Sequence, residues 1–194
     1  MERDDLFTVI HKGLRHAIFE VNVRAGATDY ADATAVAELQ ESWQRLHAAL
    51  SGHSRHEDEY VFALVGDRVP GGTRQLTEEH VRIHGQAALI AEQFARIVAE
   101  PRAEKRRMLG LELYRALQRF TAACLVHFDE EETQLLARIW ALCDDTEIAE
   151  TRAAFMATIG PEEMQYDVEH MLEAVDPVEH EMLEEALAHA MAAS

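Results

Sequence analysis

The sequence predicts an all-α protein: an up-down-up-down four-helix bundle carrying a C-terminal helical extension. Three observations predict it. The 194 residues include only nine Gly and four Pro, too few breakers for a many-turned β fold. Apolar residues recur with the 3.6-residue period of a helix through four long segments. Sharp turn signals separate those segments. With 48% hydrophobic residues the chain can bury one core, and no linker is long enough to divide it. Residues 1–143 are read as the bundle, and residues 144–194 as a helical extension of the same domain.

The first segment runs from about Asp5 to Ala25 and ends in Gly26-Ala27-Thr28-Asp29, with Leu6, Val9, Gly13, His16, Val23 and Ala27 stacked on one face. The second opens after Asp32, a candidate N-cap, and stops near Val69 at Pro70-Gly71-Gly72. Its stripe includes Leu39, Trp43, Leu46, Leu50, His53, Glu57, Val61 and Leu64. The third begins near Thr73 and reaches Glu100, stacking Leu76, His80, His84, Ala87, Ala91 and Val98; Pro101 closes it. The fourth runs from about Arg102 to Cys143 and aligns Leu113, Leu117, Phe120, Cys124, His127, Glu131 and Leu135. Beyond Asp144, breaks at Gly160-Pro161 and Asp176-Pro177 leave three short amphipathic helices, expected to pack on one side of the bundle or to serve a homodimer.

Charge and composition exclude several classes of function. The 36 Asp and Glu outnumber the 18 Lys and Arg, for a net charge of −18, which repels phosphate backbones and anionic lipid. Nucleic acid and membrane are therefore not expected partners. No stretch approaches the roughly 20 apolar residues that span a bilayer, and the N-terminus lacks an apolar leader, so a cytoplasmic protein is expected. The two cysteines, Cys124 and Cys143, supply neither a disulfide framework nor a CxxC motif.

The 11 histidines carry the chemistry. Each of the four segments turns at least one inward, and two turn a carboxylate inward as well. A buried charged carboxylate must be paired or bound to a metal. His53-x-x-x-Glu57, His80-x-x-x-His84 and His127-x-x-x-Glu131 each put two ligands about one turn apart on one face. The first two pairs lie at matching distances from the turn near residue 69, so antiparallel packing brings them level. With His16 the set is five imidazoles and two carboxylates, too many for one ion. Two ions sharing Glu57 and Glu131 as bridges use all seven, and nitrogen-plus-oxygen ligation without thiolate suits non-haem iron, with manganese and zinc as lesser options. The Glu-x-x-His of ferritin-like di-iron bundles is absent, as is HExxH.

His16, then HSRHE (His53, Glu57), HVRIH (His80, His84) and HFDEE (His127, Glu131), as a spaced set over residues 5 to 143, resembles the hemerythrin-like, or HHE cation-binding, four-helix bundle. The resemblance implies a di-iron centre with one iron on His80, His84 and His127, the other on His16 and His53, and Glu57 and Glu131 bridging. The marine oxygen carriers close their last motif with an acid at +5, where this sequence has Glu132. Glu131 at +4 lies nearer the core face and matches bacterial variants. The resemblance further implies binding of dioxygen, nitric oxide or a related small oxidant. Two outcomes stand open: binding for sensing, storage or carriage, or an enzyme that reduces peroxide or nitric oxide, or donates iron for repair. Imidazole-rich ligation favours reversible binding, and no rubredoxin-like CxxC module supplies electrons. A metal-free interaction bundle would leave Glu57 and Glu131 unexplained.

The remaining candidates read as ordinary. His11 and His47 fall off the inward stripe and His56 sits at its edge, so all three are expected in solvent or in support of a ligand. His170, His180 and His189 are expected on the acidic surface, and Cys124 as a small core residue. Tyr60 follows Glu57 and is expected in the core or near the site. Arg102, Lys105, Arg106 and Arg107 read as a solvated first turn or a self-association contact.

Overall fold

The computed structural model describes residues 3–193, with side chains as far as residue 188; His189 therefore lies outside the described side chains. Among the described residues the chain is all-helical and contains no strand. The helices are α1 (Thr8–Ala27), α2 (Ala33–His56), α3 (Phe62–Gly66), α4 (Arg74–Ala99), α5 (Ala103–Glu130), α6 (Leu136–Leu142), α7 (Asp145–Met156), α8 (Pro161–Ala174) and α9 (Pro177–Ala193). A π-helical turn, Glu57–Val61, joins α2 to α3 without a break, and a second, Glu131–Leu135, joins α5 to α6.

Local chemistry sets the boundaries. Asp32 caps α2 by accepting from the Thr34 N–H, and Gly71 takes the left-handed conformation (φ 76°) in the turn before α4, where a side chain would be strained. Asp144 and Glu147 form a reciprocal capping box at the start of α7. The basic cluster at the start of α5 is a clamp between loops. Arg106 donates to the carbonyls of Tyr30 and Glu100, at 3.1 Å each, and Arg102 and Lys105 hold Glu100 at 2.8 and 2.9 Å.

Packing follows a ring in which α1 meets α2, α2 meets α4, α4 meets α5 and α5 returns to α1. The core lies in two apolar blocks. The larger holds Leu14 to Ala25, Val36 to Leu50, Ala87 to Ile97 and Leu109 to Phe128; the smaller holds Leu6, Phe7, Val61 to Val65, Leu76, Leu135 to Ile139, Cys143 and Ile148. Helices α1 and α4 leave the smaller block and enter the larger, whereas α2 and α5 run from the larger toward the smaller. Each long segment crosses the layer between the blocks once.

The tail packs on the bundle. Ile148 of α7 is fully buried in the smaller block, and α8 lies along α1 and touches α2. The α1–α8 approach is close: a Cβ on Gly13 would sit 2.9 Å from Met171 Cγ and from its backbone nitrogen. Helix α1 is consequently packed on two faces. Its core stripe is Phe7, His11, Leu14, Ile18, Val21 and Ala25, not the stripe through Val9, His16 and Val23 read from sequence, and Val23 is 73% exposed.

Candidate metal centre

Between the two apolar blocks lies a layer of His11, His53, Glu57, His80, His127 and Glu131, of which five are fully buried and His53 nearly so. Its position follows from helix register. His53, Glu57, Val61 and Val65 are spaced by fours, as are His127, Glu131, Leu135 and Ile139, and on an α-helix each four-residue step overshoots a full turn by about 40°. Three such steps would carry the last residue out of the core. The wider π turns that begin at Glu57 and at Glu131 absorb the excess, so that Val61, Val65, Leu135 and Ile139 stay buried.

The ligand atoms fall into two groups: His11, His53, Glu57 and Glu131, and Glu57, His80, His127 and Glu131. Within each, the atoms lie within 4.8 Å of one another. Glu57 turns Oε1 to His53 Nε2 at 3.0 Å and to His11 Nε2 at 3.8 Å, and Oε2 to His80 Nε2 at 3.4 Å. Glu131 divides the other way, Oε1 lying 3.2 Å from His127 Nε2 and 3.9 Å from His80 Nε2, and Oε2 lying 3.6 Å from His11 Nε2. Both carboxylates thus span the two groups. Each group offers two imidazole nitrogens and one oxygen from each glutamate.

This layer fits metal ions. The four carboxylate oxygens of Glu57 and Glu131, with His80 Nε2 and His127 Nε2, are buried and have no hydrogen-bond partner, a state that is costly unless a cation satisfies it. The opposite ring nitrogens are satisfied. His11 Nδ1 meets Glu132 Oε1 at 2.9 Å, His80 Nδ1 meets Asp58 Oδ1 at 3.0 Å, and His127 Nδ1 meets Glu79 Oε2 at 3.0 Å. Carboxylates in these places hold the imidazole tautomer that turns the Nε2 lone pair into the layer, where His11 Nε2 also meets His53 Nε2 at 2.9 Å. Glu79 is itself held by Gln75 at 3.1 Å, and Glu132 by Arg15 at 2.6 Å.

Electrostatics agree. Burial pushes the Glu131 carboxyl well above the usual range, and the charge of Glu57 adds to the rise. Burial acts the same way on Glu57, but the imidazoles of His53, His11 and His80 outweigh it and hold that group well below the range. Of the two carboxyls, Glu131 is therefore the one that favours a proton and Glu57 the one that favours the charge when no cation is bound. Burial disfavours a charge on His11 and His80, yet Glu132 and Glu57 raise the first and Glu57 the second.

Five of the seven residues expected from sequence come together here: His53, Glu57, His80, His127 and Glu131. Two do not. His16 lies on the α8 side of α1, 3.6 Å from Glu173, and the histidine of α1 that enters the layer is His11. The sequence reading misplaced it because α8 covers a second face of α1 and blurs its periodicity. His84 is outside both groups and makes a 3.0 Å hydrogen bond with Ser54 Oγ. Four imidazoles, two on each side, thus replace the expected division of three and two. Asp58 and Glu79 were missed, and Glu132, weighed from sequence as the alternative bridge, instead holds His11 Nδ1; each of the three is adjacent in sequence to one of the six residues of the layer.

A cavity of about 20 Å³ adjoins the layer at His53, Glu57, His80 and His127, with Leu50, Ile83, Ala87, Phe120, Cys124 and Phe128 on its walls and His47, Ser54 and His84 at its border. Burial pushes the Cys124 thiol up to about 12, so it lines the cavity as a neutral small side chain. His56 is buried, stacked on Phe155 of α7 at 6.2 Å. Tyr60 is half-buried on the π turn. His180 is at the surface, but His170 is largely covered, its side chain 16% exposed between α8 and α1.

The family model for the hemerythrin HHE cation binding domain matches residues 3–139, a span that contains every residue of the layer. The chain matches no curated protein and no solved structure.

Proposed function

The chain belongs to the hemerythrin HHE cation-binding domain family, and from that premise we propose that it is a di-iron protein binding dioxygen, nitric oxide or a related small oxidant, for sensing, storage or carriage. The observation that carries the reading is the paired donor set beside a cavity sized for one small molecule. Each half of the layer supplies four donors, two nitrogens and two oxygens. A six-coordinate ion would keep positions free, and the absence of thiolate suits iron. Two irons held there would supply redox-active sites for a small oxidant. The polypeptide supplies the rest: Glu57 and Glu131 balance cationic charge, Asp58, Glu79 and Glu132 orient imidazoles, and the apolar walls admit a ligand of a few atoms while limiting water. About 20 Å³ holds one water-sized molecule, which excludes a large organic substrate.

The scaffold in this reading is an up-down-up-down four-helix bundle, since α1 and α4 cross the layer in one direction and α2 and α5 in the other. No described helix is long and apolar enough to cross a membrane, and the reading places the protein in the cytoplasm. A second reading, an enzyme reducing peroxide or nitric oxide, draws on the Ser54–His84 hydrogen bond at the cavity border, where a proton can be handed to a bound oxidant.

Optical titration tests both. Protein loaded with iron and reduced should develop a charge-transfer band with dioxygen, nitric oxide or azide. A band that reverses under vacuum supports binding; repeated consumption of reductant with peroxide or nitric oxide supports the enzyme. No spectral response in protein carrying two irons would overturn both.

A further inference from the structure

A second cluster of ligand-type side chains lies outside the bundle core, where α8 docks on α1. His16 and Glu20 stand one turn apart on α1, and His170 and Glu173 stand close together on α8. The donor atoms of His16, Glu20 and Glu173 lie within 4.8 Å of one another. His16 Nδ1 is 3.6 Å from Glu173 Oε2, and His170 Nε2 is 3.6 Å from Glu20 Oε2. Both separations exceed a hydrogen bond. They are close to the roughly 3.3 Å edge of a tetrahedron with 2.0–2.1 Å metal–ligand bonds.

Two further observations point to a ligand. His16 Nδ1 is buried without any hydrogen-bond partner, although it faces the cluster. His170 is pre-set as a donor. Its Nδ1 bonds the Tyr166 carbonyl at 2.7 Å, which leaves the Nε2 lone pair facing Glu20, and the Tyr166 ring packs on it at 4.1 Å.

We propose that His16 and Glu20 of α1, with His170 and Glu173 of α8, form a separate site for a borderline divalent cation of the zinc class, which fastens the C-terminal extension to the bundle. Two neutral imidazoles and two carboxylates balance a doubly charged ion, and imidazole nitrogen with carboxylate oxygen are donors that zinc accepts in tetrahedral coordination. The site rests on its own residues and does not depend on what the core layer binds.

Zinc titration of the full-length, iron-loaded protein tests it. After dialysis, elemental analysis should find about one zinc per chain beyond the metal of the core layer, and zinc should raise the melting temperature. Glu20→Gln with Glu173→Gln should weaken that zinc at least tenfold and abolish the shift, with core metal content unchanged; these two side chains are exposed and their loss leaves the fold intact. His170→Ala should act alike. Cobalt(II) in place of zinc should give the intense visible bands of tetrahedral coordination in the wild type only. No additional zinc in the wild type, or equal retention in the double variant, overturns the proposal.

Discussion

His11 and His80 are counterparts across the buried carboxylate pair. Each points Nε2 toward both Glu57 and Glu131, and each gives Nδ1 to the acid that follows one of those glutamates, Glu132 for His11 at 2.9 Å and Asp58 for His80 at 3.0 Å. His53 and His127 complete the two halves, each beside one glutamate of its own helix segment, His53 Nε2 lying 3.0 Å from Glu57 and His127 Nε2 3.2 Å from Glu131. The centre is therefore a near-duplicate of one half-site, and removing a single imidazole should empty one half. His11→Ala should lower iron from about two per chain to about one, whereas His16→Ala should leave both in the core layer. Elemental analysis showing the reverse would return His16 to the place that the sequence reading gave it.

Glu131 and Glu132 should separate cleanly. Glu131→Ala removes an oxygen from both halves and should cost at least one iron. Glu132→Gln leaves every ligand in place and removes only the carboxylate behind His11, so two irons should still load, with the affinity of one reduced about 10–100-fold. Competition against a calibrated chelator measures this. Equal loss of stoichiometry in the two variants would show that Glu132 is itself a ligand.

The sequence made part of this legible, and the reason differs by residue. His53, Glu57, His127 and Glu131 are readable because α2 and α5 each bury a single stripe, so the period points straight at the core. The four-residue spacing 53-57-61-65 and 127-131-135-139 also carried an unread signal, since only a widened turn keeps such a series buried. His11 was hidden because α1 packs against α8 as well as the bundle. In α4 the row through Ile83, Ala87, Ile90, Phe94 and Ile97 faces the core, while Ala91 and Val98 of the stripe read from sequence are exposed, and that rotation moves His84 out of the layer while keeping His80. His170, read as a surface residue, is covered by the docking of α8, which no local pattern encodes.

Metal loading should release protons. Burial and the charge of Glu57 raise the Glu131 carboxyl well above its ordinary value of 4.5, so the metal-free site favours a proton there that bound cations must displace. Calorimetry in buffers of different ionisation enthalpy should detect net proton release, and affinity should fall as the pH is lowered. Chelation should also lower the melting temperature, because metal bound only to the native state stabilises it by mass action. Buffer-independent heats would show that both carboxylates are already ionised.

Ala87 tests the cavity without touching a ligand. It is 1% exposed and forms part of the cavity wall, so Ala87→Val places two extra methyl groups in a space of about 20 Å³. Overpacking of this size costs about 1–3 kcal/mol, which a bundle held by its metals should tolerate. Iron content should stay at two while the optical response to azide weakens at least tenfold. An unchanged response would mean that small ligands reach the irons from another side.

Asp167 on α8 is a half-buried acid without compensation. Its Oδ1 has no hydrogen-bond partner, and burial, followed by the charge of Glu163 one turn away, raises its pKa from 3.8 to about 7. The native state thus favours the protonated form more than the unfolded chain does. Its penalty is absent below the unfolded value, grows as pH rises through the interval from 3.8 to about 7, and is constant above. A shift of that width corresponds to about 4 kcal/mol at full burial, and partial exposure reduces it to roughly 2 kcal/mol. Asp167→Asn should therefore leave the melting temperature nearly unchanged at pH 4 and raise it by roughly 4–8 °C at pH 8 for a chain of this size. A gain at pH 4 equal to that at pH 8 would show that the asparagine acts through packing, because only the ionised carboxylate carries the penalty.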